Sequence, residues 1–119
     1  MKEIHSMTVS ELENLYEATL KQAAQAGKEW VNEKAESESW EDKRKPHLSL
    51  LMGKSEGSQA AKEQAAYSNP DWLDFLELLG GSRKRYLQAQ VNWDMAKLRI
   101  EAIRTILATR REEIKSFRG

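Results

Sequence analysis

The sequence predicts an all-α protein: a long antiparallel helical hairpin with a short connecting helix, packed like a coiled coil and assembled from several copies. Three observations lead to this prediction. Apolar residues occupy every seventh position from residue 72 to residue 114, the spacing that keeps one helix face against a partner. Charged residues make up 32% of the chain and apolar residues 39%, a balance typical of long solvated helices. Only two prolines interrupt the chain.

The first predicted helix covers residues 8–52. It begins with a capping-box pattern, in which Thr8 accepts a hydrogen bond from a backbone N–H and Glu11 reaches back to the start of the helix. Apolar residues then recur at steps of three and four. Pro46 lacks the N–H that a helix interior requires and clashes with the preceding turn. We therefore expect a kink or a break around residues 42–45.

A loop rich in glycine and serine separates this helix from a short predicted helix at residues 58–67. The last predicted helix covers residues 70–117, because Asn69 is a good N-cap and Pro70 suits the first helical position. These three helices form a single predicted domain, residues 1–119.

Gly80-Gly81 lies inside the last helix and leaves two interpretations open. In one, the pair is a hinge and Ser82 caps a new helix, whose N-terminus and adjacent cations would hold a phosphate. In the other, the helix continues and is only weakened there, since each glycine costs up to about 1 kcal/mol. The heptad phase is unbroken across the pair, which favours the continuous helix.

The heptad positions of the last helix are the predicted core and oligomer seam. They are Trp72, Phe75, Leu79, Tyr86, Trp93, Ile100, Ile103 and Leu107. Two long helices side by side enclose too little volume to bury the nine aromatic side chains of the chain, so we expect copies of the hairpin to assemble. The alternative is a monomeric bundle with residues 58–67 as its third helix. The mixed seam does not select the number of copies.

The net charge of zero conceals an uneven distribution. Residues 1–42 carry 4 Lys and Arg against 10 Asp and Glu, whereas residues 82–119 carry 10 Lys and Arg against 4 Asp and Glu. An acidic first stretch and a basic last stretch have two explanations: the two helices neutralise each other's charge, or the basic stretch forms a surface for nucleic acid.

Cations concentrate where the predicted hairpin turns. The candidate DNA-binding residues are Lys43, Arg44, Lys45, His47, Lys54, Arg83, Lys84 and Arg85. They would neutralise phosphates and release counterions, while His47 or Trp40 would stack on an unpaired base. The alternatives are that Trp40 belongs to the core and that the cations are ordinary solvated surface. No base-reading motif is visible, so binding would tolerate any sequence.

Enzyme signatures are missing from the sequence. It has no cysteine, no Gly-x-Ser-x-Gly nucleophile turn and no glycine-rich phosphate loop. His5 and His47 are isolated, so we expect no catalytic site, no metal site and no cofactor. The absence of a long apolar run and of an apolar leader predicts a cytoplasmic protein that does not enter a membrane.

The order of these features resembles a known family. The first helix ends in Lys43-Arg44-Lys45-Pro46-His47, the segment Ala60–Tyr67 follows the loop, and the last helix carries Trp93, Lys97 and Glu101–Thr105. This order resembles small helical proteins of phage recombination modules that are related to the UvsY-type recombination mediators. The resemblance implies a homo-oligomeric ring in the bacterial host cell that binds single-stranded DNA, works beside a single-strand-binding protein and helps to load a recombinase. Lys45 best matches the family's DNA-contacting position, with Arg44, His47 and Lys54 adjacent.

Two functional hypotheses follow. The first is an oligomeric, single-stranded DNA-binding accessory protein that acts as a phage recombination mediator. The second is a helical adaptor, scaffold or inhibitor of a host protein, without nucleic-acid binding.

Overall fold

The structure, a computed structural model, describes residues 2–118, and the regular secondary structure in that range is entirely helical, with no strand. After a 3₁₀ turn at Ile4–Ser6, the chain forms α1 (Val9–Asp42), α2 (Arg44–Met52), α3 (Gln59–Tyr67) and α4 (Pro70–Arg118). The predicted all-α class is therefore confirmed. The hairpin and its assembly into oligomers remain predictions. Within the described part, none of the helices has the length and apolar content needed to cross a bilayer.

The start of α1 is fixed by a complete capping box. The Glu11 N–H donates to Thr8 Oγ1 at 3.1 Å, and the Thr8 N–H donates to Glu11 Oε1 at 3.2 Å. Lys2 Nζ donates to the same carboxylate oxygen at 2.8 Å. The hydrogen bond from Lys2, followed by the one from the Thr8 N–H, lowers the pKa of Glu11 below its usual value. Two donors that helix geometry leaves without partners are thus satisfied locally.

Two helices, α1 and α2, occupy the range where the sequence predicts one kinked helix. The break is the single residue Lys43, whose N–H donates to the Trp40 carbonyl at 3.2 Å. Pro46 is the third residue of α2, and a proline there costs no intrahelical hydrogen bond because the first N–H groups of a helix have no partner. The chain thus accommodates Pro46 by ending α1 at Asp42 and beginning α2 at Arg44.

Local caps also define α3 and α4. Gly57 has a φ of 114°, a conformation that side chains disfavour, and Ser58 Oγ then accepts from the Ala61 N–H at 3.2 Å. Asn69 Oδ1 accepts from the Asp71 N–H at 2.8 Å at the start of α4. The last helix then runs without interruption through Gly80-Gly81 to Arg118, as the unbroken heptad phase suggests.

The described chain divides into two compact units. The first unit contains the residues up to Glu29 and those from Ala89 onward, and the second contains Trp30–Gln88. In the first unit, α1 and α4 run in opposite directions, since Glu13 pairs with Arg111 at 2.9 Å and Gly27 faces Trp93. Its buried apolar side chains are Leu12, Ala23, Ala89, Ala96, Ile103 and Leu107.

The second unit has an aromatic core. Its buried apolar cluster consists of Leu51, Ala66, Trp72, Phe75 and Leu79. Ser82 is also fully buried, and its hydroxyl donates to the Leu79 carbonyl at 2.8 Å. Ser82 is therefore a satisfied small residue inside α4 and does not cap a new helix. Of the other predicted seam residues, Tyr86 here and Trp93 and Ile100 in the first unit are partly buried.

Two glycines are expected to respond in opposite ways to a larger side chain. A Cβ at Gly80 meets nothing within 4 Å, whereas a Cβ at Gly27 would lie 2.9 Å from the Trp93 ring. Gly80→Ala should stabilise the protein by about 1 kcal/mol through helix propensity. Gly27→Val should destabilise it by about 1–3 kcal/mol through crowding. Thermal unfolding followed by circular dichroism measures both, and a stability loss in Gly80→Ala would contradict the continuous helix.

Candidate nucleic-acid interface

The α1–α2 junction presents three consecutive cations to solvent. Lys43, Arg44 and Lys45 are all exposed, and we call them the junction cations. Over residues 2–118, neither Arg44 nor Lys45 has a carboxylate within ion-pair distance. Lys43 Nζ lies 4.8 Å from the centre of the Trp40 ring, a cation–π contact that leaves its charge at the surface. Lys54, in the loop after α2, is also exposed. These side chains are available to bind an anion.

The second predicted group of cations is largely paired with α1. Arg83 forms an ion pair with Glu41, and Arg85 lies 3.4 Å from carboxylate oxygens of both Glu33 and Glu36. Lys84 is exposed and has no such partner among the described residues. The acidic stretch of α1 therefore neutralises part of the basic half of the chain. Exposed ion pairs of this kind contribute only about 0–1 kcal/mol each, so phosphates can compete for the two arginines.

His47 is part of the aromatic core of the second unit. Its ring stacks on Phe75 with 4.9 Å between centroids and lies 6.2 Å from the Trp72 ring. His47 Nε2 is buried and lacks a hydrogen-bond partner within the described chain. A ring held in this way has little freedom to stack on a base. Its position follows from α2, which starts directly after Lys43 and turns this face toward α4.

Trp40 packs against the core of the second unit and remains partly exposed. Its ring lies 5.9 Å from Phe75 in a tilted arrangement. The exposed part lines an open groove of about 640 Å³ in the second unit. The other lining residues are Lys43, Pro46, His47, Leu50, Asp71, Asp74, Phe75 and Leu78.

This groove was not predicted from the sequence. Its α4 side carries Asp71 and Asp74, whose negative charges would repel a phosphate. The only sequence signal for it is apolar residues outside the heptad seam. Leu78, next to the seam residue Leu79, is the clearest example, because the heptad pattern predicts no packing partner for an apolar residue at this position.

The buried nitrogen of His47 gives a stability test of its role. Replacing the ring with His47→Phe keeps the stack on Phe75 and removes a polar atom that has no partner, so the protein should become more stable by about 1–2 kcal/mol. His5→Phe is the matched control, because His5 is exposed and should change stability little. Thermal or urea unfolding measures the difference. A strong destabilisation by His47→Phe would show that Nε2 has a partner in solution.

Comparison with known proteins gives no assignment. The chain matches no protein-family model, and no curated protein or solved structure is detectably similar to it.

Proposed function

We propose that this chain is an oligomeric helical protein that binds single-stranded DNA by its phosphates at the α1–α2 junction. The supporting observation is that Arg44 and Lys45 are exposed and lack carboxylate partners in the described chain, in a protein whose other cations are often paired. Phosphate binding by such cations releases counterions and needs no base-reading contact.

The proposed role is that of a phage recombination mediator. The resemblance in the order of the helices and in Lys43-Arg44-Lys45-Pro46-His47 supports it. The mechanism is backbone capture: copies of the junction hold the single strand so that a recombinase can polymerise on it, beside a single-strand-binding protein. Arg44 and Lys45 supply the main charge, Lys43, Lys54 and Lys84 add to it, and Arg83 and Arg85 join when phosphate replaces their carboxylate partners.

A helical adaptor without nucleic-acid binding is the second candidate function. The groove beside His47 and Phe75 favours it, because an open apolar groove is a common docking feature for protein partners. The two candidates are separated by DNA binding itself.

Fluorescence anisotropy with a labelled oligonucleotide tests the DNA-binding proposal. The wild-type protein should bind at low salt, with an affinity that falls as salt rises. Arg44→Ala together with Lys45→Ala removes two phosphate contacts. The change should reduce the magnitude of the negative slope of log K against log salt by about 1.4 and weaken binding about equally for every sequence.

Lys21→Ala with Lys28→Ala is the matched control, since it removes the same charge from two exposed positions of α1 that have no ion pair in the described chain. This control should bind almost as well as the wild type. An equal loss in both double variants would mean that net charge, and not the junction, governs binding. No binding by the wild type at low salt would favour the adaptor.

A further inference from the structure

We propose that the groove of the second unit is a self-complementary surface on which a second copy of this chain docks, groove to groove. This inference rests on the oligomer of the proposed function and names the surface that forms it. The argument uses only residues of Trp30–Gln88, which belong to one compact unit.

The groove exposes apolar surface that the described chain leaves uncovered. Leu50 is 62% exposed and Leu78 is 54% exposed, and they flank the rings of His47 and Phe75. Apolar side chains exposed together in a groove are available for contact with a partner. Burial of the two leucines against their counterparts in a second copy would supply an apolar centre for an interface.

The two sides of the groove carry opposite charges. The α1–α2 side carries Lys43, whereas the α4 side carries Asp71 and Asp74, all three of them exposed. Neither aspartate has a cation within ion-pair distance in the described chain. Each side therefore carries charge that has no ion-pair partner among the described residues.

This arrangement is complementary to itself under one rotation. A two-fold axis parallel to the groove places the lysine side of one copy opposite the aspartate side of the other, twice in each pair. A two-fold axis across the groove places like charges together and is disfavoured. The charges thus favour one orientation. Because both copies use the same surface in a two-fold contact, no third copy can add to it, and the product is a dimer.

Other occupants fit the groove less well. A phosphate backbone would meet Asp71 and Asp74, and an uncharged apolar segment would leave all three charges without partners. The second copy is the one occupant whose chemistry is fully specified by the groove itself.

Charge exchange across the groove tests the proposal in the absence of DNA. The first variant is Lys43→Asp, which is compatible with the N-cap position of α2. The second combines Asp71→Asn with Asp74→Lys. Each variant alone places like charges opposite each other, so its dimer dissociation constant should rise about tenfold or more. An equimolar mixture of the two should recover association, because both pairs of facing sides are again complementary.

Sedimentation velocity over a concentration series measures the association, and circular dichroism confirms that each variant is folded. Glu77→Lys is the control, an exposed charge reversal on α4 outside the groove, and it should leave association unchanged. Wild-type association that neither variant weakens would overturn this surface while leaving DNA binding at the junction intact. A wild type that stays monomeric would overturn both this surface and the oligomer of the proposed function. Weakening in each variant without recovery in the mixture would overturn the proposed pairing.

Discussion

The stack of His47 on Phe75 is the contact on which the candidate site depends. It places α2 against the start of α4, and with Trp72 and Trp40 it forms a continuous aromatic cluster. Aromatic contacts of this kind add about 0.5–1.5 kcal/mol each beyond the area that they bury. Because α2 begins one residue after α1 ends, fixing its inner face also fixes the outward direction of the junction cations. The two rings in this contact also line the groove.

In this protein, whose net charge is zero, ion pairing with carboxylates determines which cations are free to bind an anion. The acidic run of α1 faces α4 in the second unit, so Glu33, Glu36 and Glu41 neutralise Arg83 and Arg85. That run ends at Asp42, and the next three residues are the junction cations. Arg44 and Lys45 therefore lie beyond the carboxylates that occupy the arginines of α4. A net charge of zero is thus compatible with a locally positive surface, because the neutralisation is uneven along the chain.

The sequence predicts those parts of the fold that local rules govern. The hydrogen bonds of Thr8 and Glu11 and the steric demand of Pro46 act within one helical turn, so their spacing alone indicates where a helix begins or breaks. The heptad period likewise identifies the face of α4 that contains Trp72 and Leu79. The stack of His47 on Phe75 joins residues 28 positions apart, and the pairing of Arg85 with Glu33 depends on the register of two helices. The uneven charge indicates mutual neutralisation of the two helices but not the individual ion pairs, and the ring stack has no local signal, so the groove that its two rings line was missed.

Two proposed surfaces with different requirements meet at the α1–α2 junction and share only Lys43, which is a secondary phosphate contact. Lys43 lies over Trp40 at the edge of the groove, whereas Arg44 and Lys45 follow at steps of about 100° around the axis of α2 and turn away from it. The proposed phosphate binding and the proposed docking of a second copy could consequently occur together. Under the proposed function, one junction would offer only a few cations and would bind a strand weakly. Two copies joined through their grooves would present two junctions to the same strand, and the second contact would become intramolecular, with affinity gained through effective concentration. Assembly would thereby convert a chain of zero net charge into a binder of a polyanion.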